Sequence, residues 1–413
     1  MKSIQPLIIR TYKAGVSLRQ ASDRQVKMAL RLLASSLGEQ GAALLRANAK
    51  DLGRQDPENP RNDRLMLNEQ RLRAIAQSIR KVVRLPDPSG RLLDRRTLPN
   101  GLRVEKRSVP LGVVGAIYES RPNVTFDIAA LCLRSRNACL LKGSQEAADT
   151  NRVAVALIKK ALKASGIHPD CVTLLPPERE TVQELLTATR WVDVLIPRGS
   201  DSLIRYVRAN SLVPVIETGA GVCHVYVEKD ADLQKAVDIV VNAKVSRPSV
   251  CNSMDTLLVD QAIAAALLRR LQVPLLGHAV EVFADPEAAR LLKGYPFLQK
   301  AKPADFAREF LSLKCAVKVV SGIDEALEHI ARYSTRHSEA IVSGNKQKCE
   351  RFLAEVDAAA VYANASTRFT DGEELGLGAE IGISTQKLHA RGPFALEKLV
   401  TEKWVIRGNG QVR

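Results

Sequence analysis

One cysteine of the 413-residue chain stands in a setting that favours chemistry over packing. Cys251 lies in the polar segment 248–252, directly after Arg247 and between a predicted helix and a predicted strand. A neighbouring guanidinium lowers the pKa of a thiol and so increases the fraction present as the nucleophilic thiolate. We therefore interpret Cys251 as a candidate catalytic nucleophile.

The other six cysteines fall in apolar segments predicted as strands or helices, where a thiol packs as a small hydrophobic side chain. Their spacing shows neither the pairs of a secreted disulfide framework nor a C-x-x-C motif, so no metal site is expected. The residues predicted to be buried are Cys132, Cys139, Cys171, Cys223, Cys315 and Cys349.

Two more polar segments accompany predicted strands, at the strand ends where α/β enzymes place their sites. Residues 119–124 follow the first predicted strand, and residues 215–221 include the end of the fifth. Asn123 in the first segment favours the start of a helix, and its amide can also donate a hydrogen bond in a site. Both segments are therefore candidate parts of a functional site.

The elements that must position these residues begin with helices over the first ninety residues. Apolar residues recur with helical spacing in two stripes, the first after the candidate N-cap Ser22. Proline-rich loops are predicted at residues 56–60 and 86–90. The two stripes are Val26, Leu30, Leu33 and Leu37, and Leu72, Ile75, Ile79 and Val82.

Residues 99–101 (Pro-Asn-Gly) predict a hairpin between extended runs at residues 95–98 and 102–106, because Asn and Gly both accept positive φ. The extended tail at residues 403–406 can pair with this hairpin or with a neighbouring subunit. Since unpaired strand edges favour association, we expect a homo-oligomer, either a dimer or a tetramer.

From Val113 onwards, short apolar runs alternate with segments of helix length, the pattern of a doubly wound α/β fold. The G-x-G-x-x-G dinucleotide fingerprint is missing, so a nucleotide would have to be held in another way. In a first unit, strands are predicted at Val113–Tyr118, 139–142, 172–175, 194–196 and 213–217. In a second unit, strands are predicted at 224–227, 256–259, 317–320 and 340–343, with helices at 233–243 and 262–271.

The net charge of +16 would suit a nucleic-acid-binding protein, but Lys and Arg are dispersed along the chain and aromatic residues make up only 4%. We expect the positive field to attract an anionic small molecule, and we keep polynucleotide binding as an alternative from another functional class. No run of eighteen apolar residues and no secretory signal pattern occurs, so a cytoplasmic protein without a membrane segment is expected.

Three longer stretches are similar to the gamma-glutamyl phosphate reductase family, a branch of the aldehyde dehydrogenase superfamily. They are residues 110–123, 196–203 and 384–393, and the similarity covers nearly everything from Val104 to the C-terminus. The resemblance implies an aldehyde dehydrogenase-like α/β fold with a doubly wound cofactor-binding domain, an α/β catalytic domain and a small β-hairpin oligomerisation arm. The implied boundaries are 1–98 with 110–222, then 223–384, and 99–109 with 396–413.

The resemblance also implies a reaction, the second step of proline biosynthesis from glutamate. Cys251 would displace phosphate from L-glutamyl 5-phosphate and form a thioester, which hydride from NADPH reduces to L-glutamate 5-semialdehyde. Asn123 matches the superfamily asparagine that stabilises the carbonyl oxygen together with the N–H of the nucleophile. Glu217 matches the glutamate that activates water in hydrolytic members. Here it is expected to manage a proton or to lie beside the cofactor, and a purely structural role stays equally open.

Four residues match cofactor contacts of the superfamily. Lys142 matches a lysine at the adenosine ribose, and Glu374 matches a glutamate at the nicotinamide ribose. Gly199 and Ser200 precede a predicted helix, so their N–H groups can meet the pyrophosphate at the helix N-terminus. NADPH is therefore the expected cofactor.

Arg121 and Arg247 are expected to contact the substrate, because guanidinium groups bind carboxylates and phosphates through paired hydrogen bonds. A separate glutamate kinase, bound transiently if at all, would supply the acyl phosphate. The nearest alternative is a hydrolytic aldehyde dehydrogenase on the same fold with Glu217 as its base. A requirement for phosphate separates the two activities.

The chain departs from the family pattern at several positions. Around the adenosine site, residues 142–146 (Lys-Gly-Ser-Gln-Glu) replace the more frequent Arg-Gly-Gly-Ser-Glu. Arg136 stands where a turn glycine is common, Glu373 replaces a glycine, and Leu375 replaces an aromatic residue. If the glycine at position 373 serves a positive φ, Glu373 is strained by about 1 kcal/mol. These changes bear on cofactor affinity, whereas Cys251 and Asn123 are intact.

Overall fold

The computed structural model describes residues 3–57 and 62–413, so part of the loop predicted at residues 56–60 lies outside the described residues. The chain divides into two compact units. The first comprises the described residues up to Thr218, with Gly376–Gly382 and Phe394–Arg413, and the second comprises Gly219–Leu375 and Ile383–Pro393. Across the two described ranges, no helix combines the length and apolarity needed to cross a membrane.

The helices of the described ranges carry the labels α1 to α14 in chain order. They are α1 (Gln5–Gln20), α2 (Asp23–Glu39), α3 (Gly41–Leu52), α4 (Asn62–Leu65), α5 (Glu69–Arg84), α6 (Pro122–Arg134), α7 (Ala148–Ala164), α8 (Glu180–Leu186), α9 (Asp201–Asn210), α10 (Leu233–Val245), α11 (Ala264–Gly277), α12 (Pro286–Leu291), α13 (Ile323–Tyr333) and α14 (Lys346–Glu355). Short 3₁₀ turns occur at Gln145–Ala147, Pro169–Cys171, Pro303–Ala307, Thr367–Phe369 and Leu396–Lys398.

The strands of the same ranges are labelled in the same way. They are β1 (Leu92–Thr97), β2 (Arg103–Pro110), β3 (Val113–Tyr118), β4 (Ala138–Lys142), β5 (Val172–Leu174), β6 (Val194–Arg198), β7 (Cys223–Val227), β8 (Met254–Asp260), β9 (Glu281–Ala284), β10 (Leu298–Lys300), β11 (Lys314–Val320), β12 (Ser338–Val342), β13 (Ala360–Ala363), β14 (Glu380–Ser384), β15 (Gly392–Ala395) and β16 (Val400–Arg407). Strands β14 and β15 form a two-stranded sheet of their own.

The two predicted apolar stripes lie on α2 and α5, and both are buried. Ser22 caps α2 through a capping box in which its hydroxyl accepts from the Gln25 N–H and the Gln25 side chain accepts from the Ser22 N–H. Such a cap satisfies N–H groups that the first helical turn leaves without partners. The sequence signals for these helices are therefore confirmed.

A four-stranded parallel sheet in the order β5-β4-β3-β6 forms the centre of the first unit. The four strands predicted from Val113 to residue 196 are confirmed, and every residue of β3 and β4 is buried, as in a sheet covered on both faces. The order of connection reverses between β3 and β6. Doubly wound sheets bind ligands at the carboxyl ends of the strands beside such a reversal.

The strand predicted at residues 213–217 is wrong. Val215 makes a single parallel bridge to Leu195, whose N–H donates to the Pro214 oxygen at 2.8 Å and whose oxygen accepts from the Ile216 N–H at 2.9 Å. Pro214 has no N–H for the next bond of the ladder, so the pairing stops there. Glu217 lies in irregular backbone on the other side of the bridge.

The predicted hairpin is confirmed as β1 and β2, with Gly101 at a φ of 85° in the connection. The C-terminal strand β16 pairs antiparallel with the other edge of β2, from Val400 opposite Pro110 to Arg407 opposite Arg103. The tail therefore pairs with the hairpin of its own chain, which was one of the two expectations.

A cluster of opposite charges holds the three strands of this small sheet. Glu105 on β2 binds Arg107 at 2.8 Å, Arg95 on β1 at 2.8 Å and Arg407 on β16 at 3.2 Å. Hydrogen bonds from Arg107 first, and then from Arg407 and Arg95, lower the pKa of the Glu105 carboxyl to about 2. The carboxylate therefore stays ionised over the physiological range.

The second unit contains a seven-stranded parallel sheet in the order β10-β9-β11-β8-β7-β12-β13. The strands and helices predicted from residue 224 onwards are confirmed as β7, β8, β11, β12, α10 and α11. Strands β9, β10 and β13 were not predicted, because each has only three or four residues and no sustained alternation. Cys251 precedes β8, so it belongs to the amino-terminal edge of this sheet.

Arg136 and Glu373 both stand where the family pattern has a glycine, and backbone strain is present only at Arg136. Arg136 adopts a φ of 66°, whereas Glu373 is not among the described residues with positive φ. The Arg136 guanidinium donates to Asp87 at 2.7 Å and to the Ala21 oxygen, and these bonds offset a cost of about 1–2 kcal/mol for a left-handed residue with a side chain. The Glu373 N–H donates to Asp371 Oδ1 at 2.9 Å, so the strain expected there is absent.

The end of α6 depends on Arg134, which is fully buried and donates twice to the Leu85 oxygen while it pairs with Asp23. We expect Arg134→Met to lower the free energy of unfolding by about 3 kcal/mol, because it leaves the Leu85 carbonyl and the Asp23 carboxylate without their donor. Denaturant titration measures this change. The matched control is Arg152→Met, whose guanidinium pairs with Asp149 at the surface and should cost under about 1 kcal/mol. Equal effects of the two substitutions would contradict the prediction.

Candidate functional site

A cavity of about 600 Å³ lies in the first unit at the carboxyl ends of β3, β4 and β6. Four of the residues singled out in the sequence line it, namely Arg121, Lys142, Gly199 and Ser200. This volume falls within the range of small-molecule and cofactor sites. Three of the four predicted cofactor residues, Lys142, Gly199 and Ser200, thus lie together at the reversal of strand order, and Arg121 lies with them. Glu374 does not line this cavity and belongs to the second unit.

Lys142 is held by main-chain oxygens at the floor of this cavity. Its ammonium donates to the Pro177 oxygen at 2.7 Å and to the Gly143 oxygen at 3.3 Å, and the residue is only 5% exposed. Burial lowers the pKa of Lys142, because removal from water disfavours the charged form. Arg64 and Arg179 line the same cavity, so it holds further cationic side chains that the sequence patterns did not reveal.

Gly199 and Ser200 precede α9 as predicted, and Ser200 is the N-cap residue whose hydroxyl accepts from the Leu203 N–H at 3.4 Å. A carboxylate already lies at this helix start. The Ser200 N–H donates to Glu119 Oε2 at 2.8 Å, and the Ser200 hydroxyl donates to Glu119 Oε1 at 3.0 Å. Glu119 belongs to the predicted segment 119–124, but this contact was not foreseen.

Asn123 lies in the first turn of α6, after Arg121 at the N-cap position. Its side chain is exposed, and its amide nitrogen donates to Asp127 Oδ2 at 3.2 Å. The helix-start expectation is therefore confirmed, although Asn123 is not the cap itself. Glu217 contacts Arg208 of α9, with both carboxylate oxygens 3.5 Å from the guanidinium.

Cys251 lies in the turn between α10 and β8, in the second unit. It is half-buried, whereas the other six cysteines are all buried, as predicted. Its main chain is in tight contact with the segment before β7: a Cβ added at Gly221 would lie 1.6 Å from the Cys251 oxygen. That oxygen also accepts from the Cys223 thiol at 3.2 Å. Cys251 is thus held by backbone contacts from one side.

Asn252, the next residue, connects this turn to the 3₁₀ turn Thr367–Phe369. Its amide nitrogen donates to the Thr370 oxygen at 2.9 Å and to the Arg368 oxygen at 3.2 Å, while its amide oxygen accepts from the Arg368 guanidinium. The Arg368 Nε donates to the Ser246 hydroxyl at 3.1 Å. Arg368 is therefore tied to both flanks of the cysteine turn.

Arg368 is the site residue that sequence reasoning missed in the second unit. Burial lowers its pKa most, and the nearby positive charge of Arg247 lowers it further, whereas Asp371, Cys251 and Glu374 act in the opposite direction. Cys251, Arg247 and Glu374 therefore share one electrostatic environment with Arg368. The chain contains 61 lysines and arginines, and no local pattern distinguishes this one before the fold is known.

The described ranges contain no group of three or more His, Cys, Asp or Glu side chains that could hold a metal ion. The first unit contains a nucleotide-sized cavity with cationic walls. The second unit contains a cysteine turn with guanidinium groups near it. The first arrangement suits a phosphorylated cofactor, and the second suits a thiolate that acts on an anionic substrate.

Comparison with known proteins gives consistent matches over the chain. The model of the aldehyde dehydrogenase family matches residues 13–280. Gamma-glutamyl phosphate reductase of Pelodictyon phaeoclathratiforme is 52% identical over 415 residues, which cover 100% of this chain and 99% of that protein. The protein of that name from Legionella pneumophila is 50% identical over 404 residues, with 97% of each chain covered. A crystal structure of gamma-glutamyl phosphate reductase from Thermotoga maritima is similar with a TM-score of 0.96 at 40% identity, with 100% of both chains covered.

The contact at Gly221 gives a direct test of how Cys251 is held. Gly221→Ala must displace the cysteine turn, because the added Cβ would overlap the Cys251 oxygen, and this moves the Cys251 thiol relative to the guanidinium groups of Arg247 and Arg368. We expect alkylation of Cys251 by iodoacetamide at pH 7 to slow by about tenfold or more. Mass spectrometry of the Cys251 peptide over time measures the rate. Gly277→Ala is the control, because a Cβ there meets no atom within 4 Å. Unchanged alkylation in Gly221→Ala would contradict the prediction.

Proposed function

Because the chain belongs to the gamma-glutamyl phosphate reductases of the aldehyde dehydrogenase family, we propose that its reaction proceeds through a thioester on Cys251. The chain is an oxidoreductase of proline biosynthesis that reduces L-glutamyl 5-phosphate to L-glutamate 5-semialdehyde and phosphate. One observation carries the assignment of the nucleophile: Cys251 is the half-buried member of seven cysteines, and it lies in a turn that Arg368 and Gly221 hold.

In the first step the Cys251 thiolate attacks the acyl carbon. The new carbon–sulfur bond forms as the bond to the phosphate oxygen breaks, and phosphate leaves with the electron pair, so the acyl group remains activated as a thioester. Negative charge develops on the carbonyl oxygen in this step. Asn123 and the N–H of Cys251 take the role of donors to that oxygen, which the family pattern assigns to them.

Arg368 and Arg247 supply positive charge where the thiolate and the leaving phosphate carry negative charge. Two neighbouring guanidinium groups disfavour each other, and a bound anion relieves that repulsion. The support for this role is the effect of Arg247 on the pKa of Arg368, together with the opposing effect of Cys251. Arg121, which lines the cavity of the other unit, is assigned to the substrate as well.

The family uses NAD(P), and NADPH is the proposed cofactor of this chain. The cavity of about 600 Å³ fits the group, because its walls carry Arg64, Lys142 and Arg179, whose charges suit a 2′-phosphate. When bound, the dinucleotide supplies the hydride that reduces the thioester. Gly199 and Ser200 are assigned to its pyrophosphate.

Two carboxylates complete the proposed site. Glu374 is assigned to the nicotinamide ribose. Glu217 manages a proton or lies beside the cofactor, and its contact with Arg208 keeps the carboxylate in place for either role.

Residues 99–109 and 396–413, which contain most of β2 and all of β16, are proposed as the oligomerisation arm of a cytoplasmic homo-oligomer. Strand β1, outside these bounds, completes the small sheet by pairing with β2. The outer strands of this sheet present the exposed side chains Leu92, Leu93, Trp404 and Ile406. Residues 1–98 and 110–222 bind the cofactor, and residues 223–384 carry the nucleophile. A separate glutamate kinase, associated transiently if at all, supplies the unstable acyl phosphate.

The reverse reaction tests the proposed chemistry. With glutamate 5-semialdehyde and NADP⁺, we expect sustained formation of NADPH only when phosphate is present, because phosphate must release the acyl group from Cys251. Absorbance at the NADPH band follows the rate. Cys251→Ala should abolish turnover, whereas Cys349→Ala, which changes a buried thiol outside the site, should retain it. Turnover of the unmodified protein at the same rate without phosphate would instead indicate a hydrolytic dehydrogenase.

Arg368 is tested by the phosphate dependence of the same reaction. Arg368→Gln should raise the KM for phosphate by about 30-fold or more, the effect of losing a charge-assisted hydrogen bond to the phosphate anion. The KM for NADP⁺ should change by less than about threefold, because Arg368 is assigned to phosphate and not to the cofactor. A residue that only supports the fold would instead raise both KM values. Arg351→Gln serves as a surface control on α14. A parallel rise in both constants for Arg368→Gln would contradict the assignment.

A further inference from the structure

Glu119 occupies the helix start that is assigned to the cofactor pyrophosphate. Its two carboxylate oxygens accept from the N–H and from the hydroxyl of Ser200, at 2.8 and 3.0 Å. Ser200 is the N-cap of the ten-residue helix α9, and Glu119 lines the same cavity as Lys142. An anion of the chain itself therefore uses donors that the proposed function gives to a ligand.

Gly199 makes this approach possible. A Cβ at position 199 would lie 2.6 Å from Glu119 Oε2 and 2.8 Å from its carboxyl carbon. The φ of Gly199 is not in the left-handed region, so the glycine is required here for space rather than for backbone conformation. The pair of Gly199 and Glu119 is consequently a matched contact between the β6–α9 and β3–α6 connections.

The main chain at Glu119 is fixed, whereas its side chain can rotate once another acceptor takes the Ser200 donors. The Glu119 N–H donates to the Arg198 oxygen at 3.1 Å, which continues the ladder between β3 and β6. The next residue, Ser120, donates its N–H to the Ser144 hydroxyl at 3.1 Å. Rotation about the side-chain bonds is therefore enough to release Ser200, without movement of either strand.

A helix N-terminus attracts anions through its N–H groups and its dipole. A carboxylate and a phosphate group cannot share the Ser200 N–H, and two negative charges within a few ångströms repel each other. A dinucleotide whose phosphate binds at Ser200 must therefore displace the Glu119 carboxylate. Arg64 and Arg179 line the same cavity, so positive charge lies near a displaced carboxylate as well as near the ligand.

We propose that Glu119 is an internal competitor of the cofactor phosphate. In the free protein its carboxylate binds the Ser200 donors, and dinucleotide binding is weaker by the free energy needed to displace that carboxylate. This proposal rests on the cofactor site described above and adds a residue that sets cofactor affinity. A ligand binds more weakly when it must first displace an internal group, because part of its interaction free energy compensates for that displacement.

Isothermal titration with NADP⁺ tests the proposal. Glu119→Gln keeps the shape of the side chain and removes its charge, so the Kd for NADP⁺ should fall by about tenfold, equal to about 1.4 kcal/mol. The matched control is Glu180→Gln at the start of α8, which removes a negative charge that acts on Lys142 but lies away from Ser200. Its Kd should change by less than about threefold, as expected for a solvent-screened charge.

A second variant protects the test against a change in folding. Glu119→Ala removes the carboxylate altogether, and it should also bind NADP⁺ more tightly than the unmodified protein. Inorganic pyrophosphate, used as a probe without nucleoside groups, should gain affinity in both variants. Thermal unfolding of each protein without ligand establishes that the variants are folded at the temperature of the titration.

Equal or weaker binding of NADP⁺ by both folded variants would overturn the proposal, and weaker binding would assign Glu119 to a ribose hydroxyl as an acceptor. The phosphate-dependent reaction at saturating NADP⁺ keeps this result separate from the proposed function. If the unmodified protein shows that reaction and the variants bind no more tightly, the competitor role fails while the thioester chemistry stands. If the unmodified protein shows no such reaction but the variants bind NADP⁺ more tightly, the thioester chemistry fails while the competitor role of Glu119 stands.

Discussion

The contact between Gly221 and the main chain of Cys251 constrains much of the second unit. There is no space for a side chain at position 221, because a Cβ would lie 1.6 Å from the Cys251 oxygen. The segment before β7 and the turn before β8 are therefore fixed against each other, and Cys223 adds a hydrogen bond to the same oxygen. A thiol held at the amino edge of the sheet in this way is separated from the carboxyl edge, where α/β folds usually place their ligands.

Positively charged side chains lie near the cysteine turn of the second unit and in the cavity of the first unit. In the second unit, Asn252 binds the guanidinium of Arg368, and Arg247 lies close enough to lower the pKa of Arg368. In the first unit, the walls of the cavity carry Arg64, Lys142 and Arg179. Each unit thus holds a cluster of cationic side chains that suits an anion. These clusters contain part of the net charge of +16, as expected for an enzyme that acts on phosphorylated compounds.

Much of this fold could be predicted from local sequence patterns, because helix capping and the burial of apolar residues, which those patterns reflect, also stabilise the helices and strands. Ser22 satisfies N–H groups of α2, and the apolar run Val113–Tyr118 is buried on both faces as β3. The strand at residues 213–217 was wrong for an equally local reason, since Pro214 cannot donate to the ladder. The positive φ of Arg136 was not visible in the sequence, because its partner Asp87 lies 49 residues away.

The candidate site was predictable in part. Cys251, Lys142, Gly199 and Ser200 stand in recognisable segments, and the fold places the last three around one cavity. Arg368 was not predictable, since its contact with Asn252 joins residues 116 positions apart. The carboxylate of Glu119 reaches Ser200 across 81 positions, so its role also depends on the tertiary structure.

The central claim is that an acyl group passes through the sulfur of Cys251. The most direct measurement omits phosphate: the protein is mixed with glutamate 5-semialdehyde and NADP⁺, quenched in acid, digested and analysed by mass spectrometry. The account predicts a glutamyl thioester on the peptide that contains Cys251, and its loss when phosphate is added before the quench. An acyl group on any other residue, or formation of NADPH without an acylated Cys251 peptide, would contradict it.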